Sequence, residues 1–314
     1  MQEPLVSILI PCYNCAAWVH RSIETALSQT WAHKEIIVLD DGSTDGSLRV
    51  VQRYAARVRI VAQPNSGQNV SRNRLTDFSR GEWLVYLDAD DELWSDTVTR
   101  KMALRRGVDA VFGSMEVAEF QGADKLGSET MTAQNHADPW VAAFHWKYPN
   151  TSSFLFNRQA LLRAGGWNEQ IKNCTDYDVY FRLLLAGCRF MAAPKALSLY
   201  RQWSVGQAVN QAPLRKMRTR LDVMWNAAIA LEKSGGMIFE RRQAFLDAAL
   251  GVIRSIYPVD QRIAKEEHRR LVKWDSSFKP SIAVFPRRYV RAYNLLGFAL
   301  AERLAAAARA VEAS

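Results

Sequence analysis

The chain has 314 residues, enough for one large domain with an extension or for two domains. Hydrophobic residues make up 48% and charged residues 23%, the ordinary balance of a folded soluble protein, and a net charge of +9 calls for a polyanionic partner. Four cysteines are too few for a disulfide framework, and five scattered histidines with no H-x-x-x-H pair argue against a zinc enzyme.

Leu5 to Ile10 is an apolar run stopped by Pro11 and reads as a buried strand. Ala16 to Ser28 has helical spacing, with Trp18, Ile23 and Leu27 as its inner face. Glu35 to Leu39 is a second strand, stopped by Asp40-Asp41-Gly42. Ser43-Thr44-Asp45 supplies capping side chains for a helix around Leu48 to Val51. Val58 to Val61 is a third strand, Asn65-Ser66-Gly67 a turn and Val70 to Phe78 a helix. Trp83 to Leu87 is a fourth strand and Asp109 to Gly113 a fifth. Gly122 to Asp138 is polar and weakly patterned and reads as a loop. Thr151 to Phe156 has strand character, and Asp176 to Ala186 is a helix behind the turn Gly165-Gly166. From about Leu214 the pattern is helical to the end.

Short strands alternating with helices predict an open, mostly parallel α/β sheet with helices on both faces, followed by a helical C-terminal extension. Such sheets bind ligands at the carboxyl ends of their strands. Here those ends carry Pro11 to Asn14, Asp40-Asp41, Gln63 to Asn65 and Asp88 to Asp91. The last group puts three carboxylates into four positions after a buried strand, where they repel one another. A hard divalent cation would resolve that conflict, because it takes oxygen ligands and commonly holds phosphate as well. No G-x-G-x-x-G follows the first strand, and no P-loop is present. Cys12 and Cys15 form a C-x-x-C pair with no second pair, which makes ordinary thiols the simpler reading than a redox or zinc site.

The set Val6-Ser7-Ile8-Leu9-Ile10-Pro11-Cys12-Tyr13-Asn14, Asp40-Asp41-Gly42-Ser43-Thr44-Asp45-Gly46, Ser71-Arg72-Asn73, Leu87-Asp88-Ala89-Asp90-Asp91, Gly165-Gly166-Trp167-Asn168-Glu169 and Thr175-Asp176-Tyr177-Asp178 resembles the family 2 glycosyltransferases. The resemblance spans about residues 4 to 205. It implies the GT-A (Rossmann-like) fold, with a catalytic domain over 1–205, a nucleotide-sugar half at about 1–115 and an acceptor and base half at about 116–205, then a helical region over 206–314.

The resemblance also implies roles. Pro11, Tyr13, Asn14, Asp41, Asn65, Arg72 and Asp88 would form the nucleotide site, with Asp41 on the base, Arg72 on the base or diphosphate and Asp88 on the ribose side. Asp90 would be the principal ligand of Mn²⁺ or Mg²⁺, supported by Asp91. Asp176 would be the general base that draws the proton from an acceptor hydroxyl during inverting attack on the anomeric carbon. Trp146, Trp167 and Trp203 are candidates for acceptor contacts or a lid. Two departures stand out: Thr175 replaces the Glu common before the base, and Trp203 stands near the position of a family histidine. The Gln-x-x-Arg-Trp signature of processive synthases is missing, so one sugar per encounter is expected. The partners implied are a nucleotide-sugar donor, with a uridine nucleotide favoured, and a saccharide or lipid-linked saccharide acceptor in polysaccharide or glycolipid assembly. The rival is a non-catalytic nucleotide-sugar binder or scaffold of the same fold.

Residues Arg287 to Val311 mix arginines with Leu296, Leu300 and Leu304. A basic amphipathic helix of this kind suits an anionic leaflet, and the C-terminal helices are equally candidates for packing against the catalytic domain or a second copy. No nucleic-acid-binding signature accompanies the charge. No signal-like segment opens the chain and no uncharged run is long enough to span a membrane, so the expected location is the cytoplasm, peripheral on the inner face of the membrane.

Overall fold

In a computed structural model, residues 3–122, 124–203 and 213–312 are described. They form two compact units, one over residues 1–139 and 147–211, the other over 140–146 and 212–314.

The first unit is built on β1 (Val6–Cys12), β2 (Lys34–Asp40), β3 (Arg59–Ala62), β4 (Trp83–Tyr86), β5 (Glu92–Leu93), β6 (Ala110–Gln121), β7 (Asp124–Met131), β8 (Phe154–Asn157) and β9 (Phe190–Trp203). Its sheet runs β3-β2-β1-β4-β8-β6-β9-β5, with β7 paired to β6. The ladders among β3, β2, β1 and β4 are parallel. Beyond β4 the sheet is mixed: β8 is antiparallel to both β4 and β6, whereas β9 runs parallel to β6. The β3-β2-β1-β4 part is thus the parallel sheet that the sequence predicts.

The helices are α1 (Val19–Leu27), α2 (Ser47–Gln52), α3 (Gln68–Phe78), α4 (Thr97–Ala103), α5 (Pro139–Phe144), α6 (Arg158–Arg163), α7 (Thr175–Leu185), α8 (Pro213–Lys233), α9 (Phe239–Ile256), α10 (Gln261–Trp274), α11 (Arg287–Leu296) and α12 (Phe298–Glu312). Strand alternation sorts them onto the sheet. Val6, Ile8 and Ile10 point into a core that also holds Val19, Ile23, Ala26, Val51, Val98 and Met102 from α1, α2 and α4. Ser7 and Leu9 face the other side and are equally buried. Ser7 Oγ donates to Glu35 and accepts from the Gly81 amide at 2.9 Å, so the one polar residue inside β1 is satisfied.

Two local expectations are corrected. The polar stretch read as a loop over Gly122 to Asp138 contains β7, which pairs antiparallel with β6 from Met115 opposite Met131 to Gln121 opposite Asp124. Seven of its eight residues are exposed, so β7 carries no buried alternation and only the backbone ladder holds it. The strand read from Thr151 begins later: Thr151–Ser153 is a single 3₁₀ turn, and β8 starts at Phe154.

The second unit is helical. Trp225 of α8 packs edge-on to Phe245 of α9 (centroids 4.8 Å apart) and to Trp274 of α10 (5.6 Å), and Phe144 of α5 also meets Phe245. That ring contact places Trp140–Trp146 with the C-terminal helices, although the sequence assigns this segment to the acceptor half. Among the described residues, no helix is long and apolar enough to cross a membrane.

Candidate active site

At the carboxyl ends of β1, β2 and β4 the first unit opens a cleft of about 820 Å³. Its walls include Pro11, Tyr13, Asn14, Asp41, Asn65, Asp88 and Asp90, which are seven of the predicted site residues. Parallel topology brings them together, because each strand of such a sheet delivers its C-terminal loop to the same edge.

Tyr13 is 51% exposed at the mouth, where its ring is available to a planar ligand. Asn14 has φ +49°, a conformation that Asn tolerates better than most residues. Its amide oxygen accepts from the Thr44 N–H at 2.8 Å and its own N–H donates to Ser43 Oγ at 3.0 Å. Asn14 therefore fixes the β2–α2 loop as well as lining the cleft.

Asp41 is 3% exposed. One of its oxygens accepts from Gln63 Nε2 (2.5 Å) and the Ser66 N–H (2.9 Å), and the other accepts from the Gly67 N–H (2.9 Å). Asp41 thus shapes the Asn65–Gly67 turn and keeps one lone pair for a ligand. Gly42 between them is obligatory: it has φ +73°, and a Cβ there would lie 2.6 Å from the Asn65 nitrogen. Asp40 turns away, accepting from the Ser43 N–H at 3.1 Å.

Arg72 is corrected from its predicted place on the base or diphosphate. It is 1% exposed, absent from the cleft wall, and stacked over Trp167 at 4.4 Å. Its Nη2 donates to Asp88 at 2.9 Å; its Nη1 donates to Thr175 Oγ1 at 3.2 Å and lies 3.8 Å from Asp176. Burial opposes its charge, but Asp88 and Asp176 more than offset that and hold the guanidinium protonated. Thr175, in place of the family Glu, is accordingly a partner of Arg72.

Trp167 is likewise corrected. At 2% exposure it lies under Arg72 and edge-on to Tyr86, in the core and not over an acceptor. Its turn is tied to α3 by Asn73, which donates to the Trp167 carbonyl at 2.9 Å and accepts from the Trp167 N–H at 2.8 Å. Trp146 belongs to the second unit, beneath Arg220 at 4.0 Å, and does not line the cleft. The Trp203 side chain lies outside the described residues.

Asp176 heads α7 with 32% of its side chain exposed. Thr151 Oγ1 donates to it. Burial raises its pKa, Arg72 and the Thr151 hydrogen bond pull it down, Asp88 pushes it up, and the net shift is upward. A carboxylate with raised basicity is suited to receiving a proton.

Asp91 is corrected as a metal support. It is fully buried, with one oxygen accepting from Asn150 Nδ2 (3.0 Å) and Ser152 Oγ (2.7 Å) and the other from the Arg201 N–H (3.2 Å). Burial and then the charges of Asp90 and Asp88 push its pKa well up. Its oxygens serve the fold beneath the cleft.

For a divalent cation, Asp88 and Asp90 remain as hard oxygen donors on the cleft wall. Among the described residues no three His, Cys, Asp or Glu side chains gather to hold a metal alone. Two carboxylates completed by ligand phosphate oxygens and water fit Mg²⁺ or Mn²⁺, whose sites commonly have that composition.

The sequence reading misses several residues. Asn150 to Ser152 bind Asp91 and Asp176 from one turn, and short polar residues in a loop carry no signal of that. Arg201, 1% exposed, donates to the Asp90 carbonyl at 3.0 Å and pairs with Glu92, its guanidinium 4.9 Å from Trp18 and 4.3 Å from Phe120. Exposed Lys172 adds a cation to the cleft wall. Cys12 and Cys15 are free; burial pushes both thiols upward, Cys12 to about 12, so neither is a thiolate at neutral pH.

This fold and cleft define an α/β protein with an acid-rich site at the carboxyl edge of its parallel strands. The family described as Glycosyl transferase family 2 matches residues 7–164, and the chain belongs to it. It is 33% identical over 193 residues to a chondroitin synthase of Escherichia coli, which covers 59% of this chain and 27% of that protein. It is 31% identical over 199 residues to a hyaluronan synthase of Pasteurella multocida, covering 59% of this chain and 19% of that one. The matches thus span well under a third of these relatives. Among solved structures, residues 1–349 of S. aureus TarS, crystallised with UDP-GlcNAc, superpose with a TM-score of 0.66 at 16% identity, covering 97% of this chain and 91% of that one. That likeness establishes the shared GT-A fold.

Proposed function

We propose that the chain transfers one sugar per encounter from a nucleotide-diphosphate sugar, with uridine diphosphate favoured, to an acceptor hydroxyl with inversion at the anomeric carbon. The observation that carries this reading is the coupling of a donor-side acid to a base: Asp88 on the cleft wall and Asp176 at the head of α7 share Arg72. Tyr13 and Asp41 would bind the base, Asn65 the ribose and Asp88 the ribose side. Asp176 would take the acceptor proton as the acceptor oxygen bonds to the anomeric carbon and the bond to the diphosphate breaks. Mn²⁺ or Mg²⁺, held by Asp88 and Asp90 with the phosphates, would offset charge growing on the leaving group. The synthases to which the chain is similar support an acceptor in polysaccharide assembly, and a glycolipid acceptor is the alternative within this proposal.

The test is release of nucleoside diphosphate from a panel of nucleotide sugars, with and without Mn²⁺, by the wild type and by Asp176→Asn. Metal-dependent turnover that Asp176→Asn abolishes is the expected result. Turnover intact in that variant removes the base assignment, and consumption of no donor with any acceptor extract favours a non-catalytic binder.

A contact with an anionic leaflet is part of the same reading. In the second unit Leu295 is 82% exposed, Leu296 50%, Leu300 45% and Leu304 52%, with exposed Arg287, Arg291 and Arg303 on the same two helices. Exposed leucines among arginines suit acyl chains beneath acidic headgroups. Sedimentation with phosphatidylglycerol vesicles but not with phosphatidylcholine vesicles, lost in Leu295→Glu/Leu300→Glu, is expected; equal sedimentation with both lipids would remove the charge argument.

A further inference from the structure

Lys172 lines the cleft and has no part in the chemistry described above. Four carboxylates stand on the same wall, those of Asp41, Asp88, Asp90 and Glu169. Among the described residues of the wall Lys172 is the only lysine or arginine, because Arg72 is buried and does not reach it.

The segment that carries Lys172 is fastened on both sides. Before it, Asn69 Nδ2 of α3 donates to the carbonyls of Asn168 (2.6 Å) and Ile171 (3.1 Å). After it, Thr175 Oγ1 accepts from Arg72 Nη1 at 3.2 Å, and Nη2 of the same guanidinium donates to Asp88 at 2.9 Å. Lys172 is thereby placed between the first turn of α3 and Asp88. That first turn follows the Ser66 and Gly67 amides that Asp41 holds. A nucleotide with its base on Asp41 and its phosphates on a cation at Asp88 and Asp90 passes along this stretch of wall.

The backbone is fixed, but the side chain is not engaged. Lys172 is exposed, and among the described residues it makes no hydrogen bond and no ion pair. Glu169, three positions earlier, accepts instead from Asn73 Nδ2 at 2.8 Å. An ammonium on a flexible stem suits phosphate as a point charge with three rotatable donors. A diphosphate entering beside four carboxylates is repelled, and a lysine on the wall adds a positive charge to that of the divalent ion.

We infer that Lys172 binds the diphosphate of the donor from the α7 side of the cleft. The inference rests on the proposed sugar transfer and adds one phosphate contact to it.

The experiment uses calorimetry on full-length wild type, Lys172→Met and Lys172→Arg with Mn²⁺ and UDP, or the nucleoside diphosphate of whichever donor the wild type consumes. Titrations are run at about 50 mM and about 500 mM KCl, and each protein is also melted. At low salt Lys172→Met should bind about 5- to 30-fold more weakly than wild type. The gap should shrink about threefold or more at high salt, where the charge is screened. Lys172→Arg should stay within about threefold of wild type, and all three should melt within about 2 °C of one another. Binding by Lys172→Met within about twofold of wild type overturns the inference and leaves the proposed function standing. So does a loss that ignores salt or that Lys172→Arg does not repair, because the side chain would then act through its shape. A variant that melts far lower also overturns it, since the lysine would then serve the fold. A wild type that neither binds UDP nor consumes any donor removes the proposed function and the inference together.

Discussion

Arg72 Nη1 lies 3.8 Å from Asp176, with the guanidinium 1% exposed and the carboxylate 32%. The same guanidinium holds Asp88 at 2.9 Å, so one buried cation spans an acid of the cleft wall and the acid at the head of α7. Loss of that cation acts on both. Because Arg72 pulls down an Asp176 pKa that burial raises, Arg72→Met should raise it further. The acid limb of the pH–activity profile should move to higher pH, and turnover on that limb should fall about tenfold or more. A limb that stays in place in the variant would separate Arg72 from the base.

Asp176→Asn should remove turnover yet raise stability near neutral pH. The sign follows from the upward shift: between the unfolded and folded pKa values the native state binds more protons, so stability declines as pH rises through that window. An amide does not ionise, and the variant should lose this pH dependence. Melting curves between pH 3 and 8 measure it, and a variant less stable than wild type at pH 7 contradicts it.

Asp90→Asn and Asp91→Asn should part company. Asp90 lines the cleft, whereas Asp91 accepts three hydrogen bonds beneath it. The Asp90 variant should weaken Mn²⁺ dependence with little change in melting. The Asp91 variant should leave metal dependence in place and alter stability by about 1–3 kcal/mol, because an amide places an N–H against donors already there. Mn²⁺ titrations alongside urea unfolding distinguish the two.

Asp41→Ala should release the Ser66 and Gly67 amides and loosen the Asn65–Gly67 turn. Loss of buried bonds to a charged acceptor costs about 2–3 kcal/mol, and UDP affinity should fall at the same time. Calorimetry finding wild-type affinity in a destabilised variant would separate the turn from the nucleotide site.

Lys101 of α4 is fully buried with no hydrogen-bond partner for its amine among the described residues, and burial alone lowers its pKa to about 7. The unfolded chain binds more protons between that value and the ordinary lysine range, so stability should rise as pH climbs from about 7 to about 10. Lys101→Met should raise stability at pH 7 by a few kcal/mol, roughly, and flatten that rise. Chemical unfolding at pH 7 and pH 9.5 reads both effects.

The parallel half of the fold and the place of the cleft were legible because buried strands write themselves as apolar runs, and strand ends in such a sheet share one edge. The strand-end clusters that hold Tyr13, Asp41, Asp88 and Asp90 followed from those runs, and the family resemblance singled out these four within them. The strand β7 could not, because an exposed ladder held by backbone bonds leaves no pattern in side-chain type. Nor could the facing of individual side chains. Arg72 and Trp167, 95 positions apart, form one buried stack, and Asp91 points under the cleft that Asp90 lines. Composition and order told which chemical groups arrive at the sheet edge. Which of them meets a ligand and which is consumed in holding its neighbours was decided by close packing, because a polar group shut away from water takes whatever partner the surrounding elements bring within reach.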